Sequence, residues 1–123
     1  MKVLIVEDNP VNMKLLELII KRHGHLPIEA IDGEDAVEKA KTELPEIILM
    51  DIMLPGIDGL EAVKRIRRIG SMKTVPIIAI TSYAMAGDRD KIMKAGCNGY
   101  FEKPINPLTI IKDIEKIIQV GFA

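Results

Sequence analysis

Short, unbroken apolar runs constrain the fold of this chain more than any other feature. They read VLIV at residues 3–6, IILM at 47–50, PIIAI at 76–80 and, more briefly, GYF at 99–101. Continuous hydrophobicity over so few residues is typical of strands in a parallel sheet, which are covered on both faces. A weaker, alternating run, PIEAI at 27–31, predicts an edge strand of the same sheet.

Amphipathic segments separate these runs and predict helices. After the first strand, apolar residues within 15–20 recur at helical spacing and charged residues line another side. Asn9 and Pro10 precede this segment, and Asn106 and Pro107 precede a similar one that reaches residue 118. An Asn caps a helix, and a Pro at the first helical position loses no needed donor. Further helices are predicted around 36–40, 60–66 and 88–95, with Gly24, Gly70 and Gly96 ending the first, third and fourth helices.

Strand and helix therefore alternate five times, which predicts an α/β fold: a doubly wound parallel sheet with right-handed crossovers and helices on both faces. The chain contains no linker, repeat or low-complexity tract. We therefore expect residues 1–123 to form one domain.

Composition and charge exclude several classes of function. The chain has 17 basic and 18 acidic residues and only 3% aromatic residues, so it lacks the basic surface and the stacking platforms of nucleic-acid-binding proteins. Its first apolar run ends at Glu7, too early for a signal peptide, and no run is long enough to span a membrane. Cys97 stands alone and is expected to be a small core or surface residue. We expect a cytoplasmic protein that binds neither membranes nor nucleic acid directly.

Polar side chains stand where the predicted strands end. Glu7 and Asp8 follow the first strand, Asp51 the third and Thr81 the fourth, and the fifth leads to Lys103. Because the carboxyl ends of parallel strands meet at one edge of a sheet, we expect these side chains to lie close together. Carboxylates at such a distance repel one another, and the pKa of at least one rises unless a cation lies among them.

A divalent cation and a lysine would offset this repulsion. Mg²⁺ fits best, because it binds one or two carboxylates, keeps several waters and accepts a phosphate oxygen; Mn²⁺ would accept the same oxygen ligands. No Cys/His cluster suits zinc, and His23 and His25 are expected to be solvated residues at a helix end. With Thr81 and Lys103 holding phosphoryl oxygens, the carboxylate of Asp51 could attack phosphorus and form an acyl phosphate.

Each of these residues also has a structural interpretation. An Asp after a strand is usually a turn or cap residue, an acidic pair before a helix favours the helix dipole, and a Lys before a Pro is usually a loop residue. Their coincidence at the ends of different strands favours a site. The basic run Lys64, Arg65, Arg67 and Arg68 has no such support and is predicted to be a solvated helix face, with a docking patch as the alternative.

Four motifs, VLIVEDN, LMDIMLPGIDG, IIAITS and GYFEKPI, resemble in order and spacing the response-regulator receiver family, the CheY-like domains of two-component signalling. The resemblance covers essentially the whole chain. It implies a five-stranded sheet of order 2-1-3-4-5 with five helices, and a phosphoacceptor switch rather than an enzyme. The phosphoryl donor would be a histidine kinase or a histidine phosphotransfer protein. The downstream protein target would bind the face formed by the fourth helix, fifth strand and fifth helix.

The resemblance also implies a role for each residue of the site. Asp51 would be the phosphoacceptor and Lys103 the lysine that contacts the phosphoryl group. Mg²⁺ would be bound by Asp8, by Asp51 and by the main-chain carbonyl of Met53, while Glu7 would act through water.

A switch pair and two rate-setting positions follow from the same resemblance. Thr81 and Tyr100 would be the switch pair, the hydroxyl moving to the phosphoryl group and the ring turning inward. Met53 and Tyr83 would flank the water that attacks the phosphoryl group. Both are bulky, and neither has a carboxylate or amide to orient water, so we expect slow loss of phosphate. The peptide bond between Lys103 and Pro104 is expected to be cis.

Three alternatives share part of the pattern. A haloacid-dehalogenase-like phosphatase needs a second acid where Met53 stands, and a flavodoxin-like protein needs a Gly- or hydroxyl-rich loop where EDNPVN stands. A receiver that binds partners without phosphorylation is disfavoured, because every acidic, hydroxyl and lysine position is filled. The chain ends just after its last predicted helix, so we expect a free-standing receiver. VEDNPVNMKLL in particular resembles DivK-type single-domain regulators and the receivers of hybrid kinases.

Overall fold

The computed structural model describes residues 1–54, 56–82 and 86–118. Within them, five parallel strands form one sheet in the order β2-β1-β3-β4-β5, with five α-helices between and after the strands. The fold class predicted from the sequence is therefore confirmed, including the weak strand at the edge. In chain order the elements are β1 (Lys2–Val6), α1 (Pro10–Arg22), β2 (Leu26–Ala30), α2 (Gly33–Glu43), β3 (Ile47–Asp51), α3 (Gly59–Arg67), a 3₁₀ turn (Gly70–Met72), β4 (Ile77–Thr81), α4 (Ala86–Ala95), β5 (Gly99–Glu102) and α5 (Ile110–Ile118).

Alternate residues of the central strands belong to two hydrophobic layers, one on each face of the sheet. Leu4 and Val6 point to the side covered by α2, α3 and α4, whereas Val3 and Ile5 point to the side covered by α1 and α5. All four are at most 1% exposed, and each such side chain contributes roughly 1.5–3 kcal/mol on burial. Burial on both faces explains why the strands are continuous apolar runs.

The register of the sheet aligns the carboxyl ends of its strands. Val6 of β1 pairs with Met50 of β3, and Asp51 pairs with Ile80 of β4. The residues that follow β1 and those that end β3 and β4 therefore share one edge. No described helix has the length and apolar character needed to cross a bilayer.

Asparagine caps behave as predicted at the first helix and differently at the last. Asn9 Oδ1 accepts hydrogen bonds from the main-chain N–H groups of Val11 and Asn12, at 2.9 and 3.1 Å, and Pro10 is the first residue of α1. Asn106 Oδ1 accepts from the N–H of Leu108, but residues 107–109 form a turn and α5 begins only at Ile110. The side chain of Leu108 is 89% exposed, so packing against the sheet starts at Ile110.

Two of the three predicted glycine stops are confirmed. Gly24 and Gly96 have φ of +79° and +118°, in the region that favours glycine, and follow α1 and α4 closely. The prediction for Gly70 was wrong, because α3 already ends at Arg67 and Gly70 begins the 3₁₀ turn.

Arg67 contradicts the prediction that the basic run is a solvated helix face. Its guanidinium donates hydrogen bonds to the carbonyls of Gly96, Met72 and Val75 and to Asn98 Oδ1, at distances between 2.6 and 3.0 Å. The end of α3 meets two loops whose carbonyl groups need donors, and a forked cation can reach them together. Lys64, Arg65 and Arg68 are exposed as predicted.

Candidate functional site

Three carboxylates meet at the carboxyl edge of the sheet. Glu7 and Asp8 follow β1 and Asp51 ends β3, and one oxygen of each lies within 4.8 Å of the others. Glu7 and Asp51 are 1% and 2% exposed, whereas Asp8 faces solvent. The proximity expected from the strand ends is confirmed, and in the described part of the chain no other three acidic, His or Cys side chains form such a group.

Both oxygens of the Asp51 carboxylate are engaged. Oδ1 accepts a hydrogen bond from the main-chain N–H of Met53 at 2.9 Å, and Oδ2 accepts one from Nζ of Lys103 at 3.0 Å. The Met53 side chain is 56% exposed. These two hydrogen bonds fix the orientation of the Asp51 carboxylate.

A glycine at the start of α3 allows the loop after β3 to fold back tightly. A Cβ on Gly59 would lie 2.6 Å from the carbonyl oxygen of Asp51 and 3.0 Å from the carbonyl carbon of Ile52. Real Cβ atoms do not approach backbone so closely, so the main chain behind the Asp51 carboxylate depends on this glycine.

Lys103 reaches the carboxylates from the loop between β5 and α5. Its Nζ lies 3.0 Å from Asp51 Oδ2 and 3.3 Å from Glu7 Oε2, and its main-chain N–H donates to the carbonyl of Thr81 at 2.8 Å. The Lys103–Pro104 peptide bond is cis. Burial lowers the pKa of Lys103, but the hydrogen bond and charge of Asp51, together with Glu7, outweigh it and leave the pKa raised.

The raised pKa of Glu7 shows that the Lys103 ammonium does not fully offset the negative charge of the carboxylates. Burial, and then the charge of Asp51, raise the pKa of Glu7, and Lys103 only partly opposes them. Oε2 of Glu7 is buried and accepts no hydrogen bond of good geometry, although the Lys103 ammonium is near. The three carboxylates offer only oxygen ligands, and the ammonium of Lys103 leaves their negative charge in excess. Such a site fits a hard divalent cation.

Asn12 is a site residue that the sequence analysis missed. Its side-chain amide donates to Glu7 Oε1 at 3.4 Å, and the N–H of Asn9 donates to the same oxygen at 3.3 Å. Asn12 also lines a hollow of about 370 Å³ beside Lys103 and Pro104. The available signal was its place in the first turn of α1, directly after the strand that ends beside Glu7.

Thr81 and Tyr100 lie on neighbouring strands. Thr81 ends β4 and is 1% exposed, and Tyr100 of β5 is half-buried. Arg89 of α4 donates a hydrogen bond to the Tyr100 hydroxyl, and its guanidinium carbon lies 5.4 Å from the centroid of the ring. In this structure Tyr100 is therefore held towards α4. Tyr83 lies outside the described residues.

Cys97, His23 and His25, for which no role in the site was predicted, do not belong to it. Cys97 is 5% exposed, and burial raises the pKa of its thiol to about 11. His23 is exposed, with Nδ1 3.0 Å from the carbonyl oxygen of Ile19, and His25 Nδ1 lies 3.0 Å from the amino group of Met1. None of them contributes to the acidic cluster.

Comparison with known proteins decides the family. Residues 3–115 match the family described as Response regulator receiver domain. The chain belongs to this family. Receivers are phosphoacceptors of two-component signalling that interact with histidine kinases, rather than enzymes, so membership excludes the phosphatase and flavodoxin-like alternatives.

Individual receivers resemble the chain over nearly its full length. It is 39% identical to the polar-differentiation response regulator DivK of Brucella anthropi over 116 residues, 94% of both proteins. The receiver domain of the sensor histidine kinase PA1611 of Pseudomonas aeruginosa is 36% identical, with a TM-score of 0.87 over 96% of this chain and 97% of that one. That structure has a magnesium ion coordinated in its active-site cleft. Vibrio cholerae CheY4 is 28% identical, with a TM-score of 0.90 over 94% and 97% of the two chains.

Proposed function

We propose that residues 1–123 act as one receiver domain that takes a phosphoryl group onto Asp51 with the help of Mg²⁺. The donor is a phosphohistidine of a histidine kinase or of a histidine phosphotransfer protein. The observation that carries the proposal is the Asp51 carboxylate, 2% exposed, bonded to the Lys103 ammonium and grouped with the carboxylates of Glu7 and Asp8.

The acidic cluster would hold the cation. Asp8 and Asp51 would be direct ligands, the main-chain carbonyl of Met53 a further one, and Glu7 would act through water. Mg²⁺, or Mn²⁺ in its place, supplies positive charge against the carboxylates and the phosphoryl oxygens. The support is the oxygen-only ligand set and the surplus negative charge; burial, and then the charge of Asp51, raise the pKa of Glu7.

Transfer requires one bond to form as another breaks. An oxygen of the Asp51 carboxylate attacks phosphorus and forms a P–O bond, while the P–N bond to the donor imidazole breaks and its electron pair returns to nitrogen. The Lys103 ammonium and the Thr81 hydroxyl donate hydrogen bonds to phosphoryl oxygens. Burial of Asp51 strengthens these interactions, because solvent screens them less.

Phosphorylation of Asp51 would change the protein-binding surface through the switch pair, Thr81 and Tyr100. Once Thr81 bonds the phosphoryl group, Tyr100 turns inward, so its contact with Arg89 on α4 must break. The face formed by α4, β5 and α5 changes shape, and a downstream protein binds one of the two forms. This is a choice between two packings driven by added negative charge.

Mass spectrometry after exposure to a small phosphodonor tests the proposal. With acetyl phosphate and Mg²⁺ we expect a single phosphoryl group, mapped to Asp51 after chemical trapping, and little labelling with a chelator. Asp51→Asn should take no label and Asp8→Asn very little, whereas Asp90→Asn, an exposed Asp of α4, should label normally. A label on another residue, or none on the folded wild-type protein with Mg²⁺, would overturn the proposal.

A further inference from the structure

A groove lies between α3 and α4. It encloses about 550 Å³ and is lined by Leu60 and Ala95 together with charged residues of both helices. Lys64 stands on α3, and Lys91 and Lys94 stand on α4, three residues apart and therefore on one side of that helix. We call this the α3–α4 groove.

The lining of the α3–α4 groove has three lysines against the two carboxylates of Asp58 and Glu61, a formal excess of one positive charge, although the chain as a whole carries a formal charge of −1. Its carboxylates are engaged: Asp58 Oδ1 accepts the main-chain N–H of Glu61 at 2.8 Å, and Glu61 Oε2 pairs with Arg65 Nε at 3.0 Å. The three groove lysines are exposed and form no ion pair with any carboxylate of the described residues. Such a patch attracts an anionic partner.

The shape and lining of the α3–α4 groove favour an acidic chain over a compact phosphate-bearing ligand. The groove is open, its lysines stand on both helices, and its lining includes the apolar residues Leu60 and Ala95. The start of α3, where a phosphate would find free N–H groups, is already capped by the Asp58 side chain, which accepts the N–H of Glu61. A peptide can place carboxylates against the lysines and an apolar side chain between the walls.

We propose that the α3–α4 groove binds an acidic segment of a partner protein, with carboxylates on Lys64, Lys91 and Lys94 and an apolar side chain against Leu60 and Ala95. A second hollow, of about 350 Å³, shares Asp58, Leu60 and Lys91 with the groove and extends to Met53 and Thr81. The bound segment thus lies beside the phosphoacceptor edge. The binding itself does not depend on phosphoryl transfer, so it can be tested on the unphosphorylated protein.

Fluorescence anisotropy with a labelled peptide of repeating Glu-Glu-Leu triplets tests this proposal. We expect binding that weakens as salt is raised, and no binding of the matching Lys-Lys-Leu peptide. The double variant Lys91→Glu/Lys94→Glu should weaken binding at least about tenfold, and Lys64→Glu alone at least about threefold. The matched double variant Lys41→Glu/Lys112→Glu changes two exposed helix lysines outside the groove by the same charge, and should weaken it less than about twofold.

Three results would overturn the proposal. The first is equal loss of affinity in the two double variants, which would indicate only a net-charge effect. The second is a set of NMR amide shifts on titrating the peptide that spares Leu60, Lys91 and Ala95. The third is ATP shifting those amides at lower concentration than the peptide, which would assign the groove to a small phosphate ligand. All the substituted lysines are exposed, and amide spectra of the free variants verify that they fold.

Discussion

At the scale of single residues, Lys103 offsets negative charge that the fold has buried. Replacing it by Gln removes the positive charge that lowers the pKa of Glu7, so that pKa rises further. A raised carboxyl pKa contributes stability that is fully present below the unfolded-state pKa and is lost as pH rises through the folded-state value. We therefore expect Lys103→Gln to lower the free energy of unfolding by about 1–3 kcal/mol near neutral pH, and by less at pH about 5.

Urea denaturation at the two pH values measures this difference. Lys112→Gln is the matched control, because Lys112 is an exposed lysine of α5 outside the described ion pairs. It should change stability by less than about 0.5 kcal/mol at either pH. A Lys103→Gln loss that is the same at both pH values would show that burial of the carboxylates does not cause it.

Met53 is expected to set the lifetime of the phosphoryl group on Asp51. Its main-chain N–H bonds the Asp51 carboxylate, and its side chain, 56% exposed, has no carboxylate or amide to orient water. In Met53→Asn an amide can orient the attacking water, so we expect phosphate release at least about threefold faster. Release from protein labelled by acetyl phosphate, followed with a phosphate sensor, measures it. Met93→Asn, on an exposed Met of α4, should leave the rate unchanged, and an equal or slower rate in Met53→Asn would contradict the prediction.

At the scale of elements, Arg67 joins α3 to the loops before β4 and before β5. Its guanidinium donates to four acceptors, three of them main-chain carbonyls, and a Lys cannot reach all of them from one ammonium. We expect Arg67→Lys to cost about 2–4 kcal/mol of unfolding free energy, because carbonyls are left without donors. Arg65→Lys, which alters an exposed pair with Glu61, should cost less than about 0.5 kcal/mol. Urea denaturation compares the two, and similar losses would contradict this role of Arg67.

Elements differ in how far local sequence determines them. The strands were predictable because a strand that is buried on both faces needs a continuous apolar run. The proximity of Glu7, Asp8 and Asp51 was predictable because the carboxyl ends of parallel strands share one edge of the sheet. Arg67 was misjudged because two of its acceptors, Gly96 and Asn98, are 29 and 31 residues away in sequence and become its neighbours only in the fold. Local signals also miss where packing begins, so the Asn106 cap predicted the start of α5 a few residues too early.

The same limit applies to the site. Asp51 and Lys103 were predictable as positions, since each follows a recognisable strand. That Asn12 bonds Glu7, and that Arg89 holds the Tyr100 hydroxyl, depends on rotamers and on how helices pack against the sheet. No local sequence pattern specifies side-chain rotamers or the packing of helices on the sheet, so these contacts could be identified only from the structure.

At the scale of the whole molecule, the sheet brings carboxylates from separate strand ends together, and the free energy of this repulsion opposes folding. A ligand that binds the folded chain alone stabilises it, and at tenfold excess over its Kd the gain is about 1.4 kcal/mol. For a domain of this size that gain corresponds to a rise in Tm of about 4–8 °C. We expect Mg²⁺ to produce such a rise, smaller at pH about 5 because protons compete for Glu7, whose pKa is raised by burial and by the charge of Asp51.

Calorimetry with and without Mg²⁺, at ionic strength matched by sodium chloride, measures the rise in Tm. Asp8→Asn and Asp51→Asn each remove one of the three grouped carboxylates and should lose most of it, whereas Asp90→Asn, of equal charge change, should keep it. If all three variants respond to Mg²⁺ as the wild-type protein does, the ion acts by general screening. The acidic edge of the sheet would then not be a binding site.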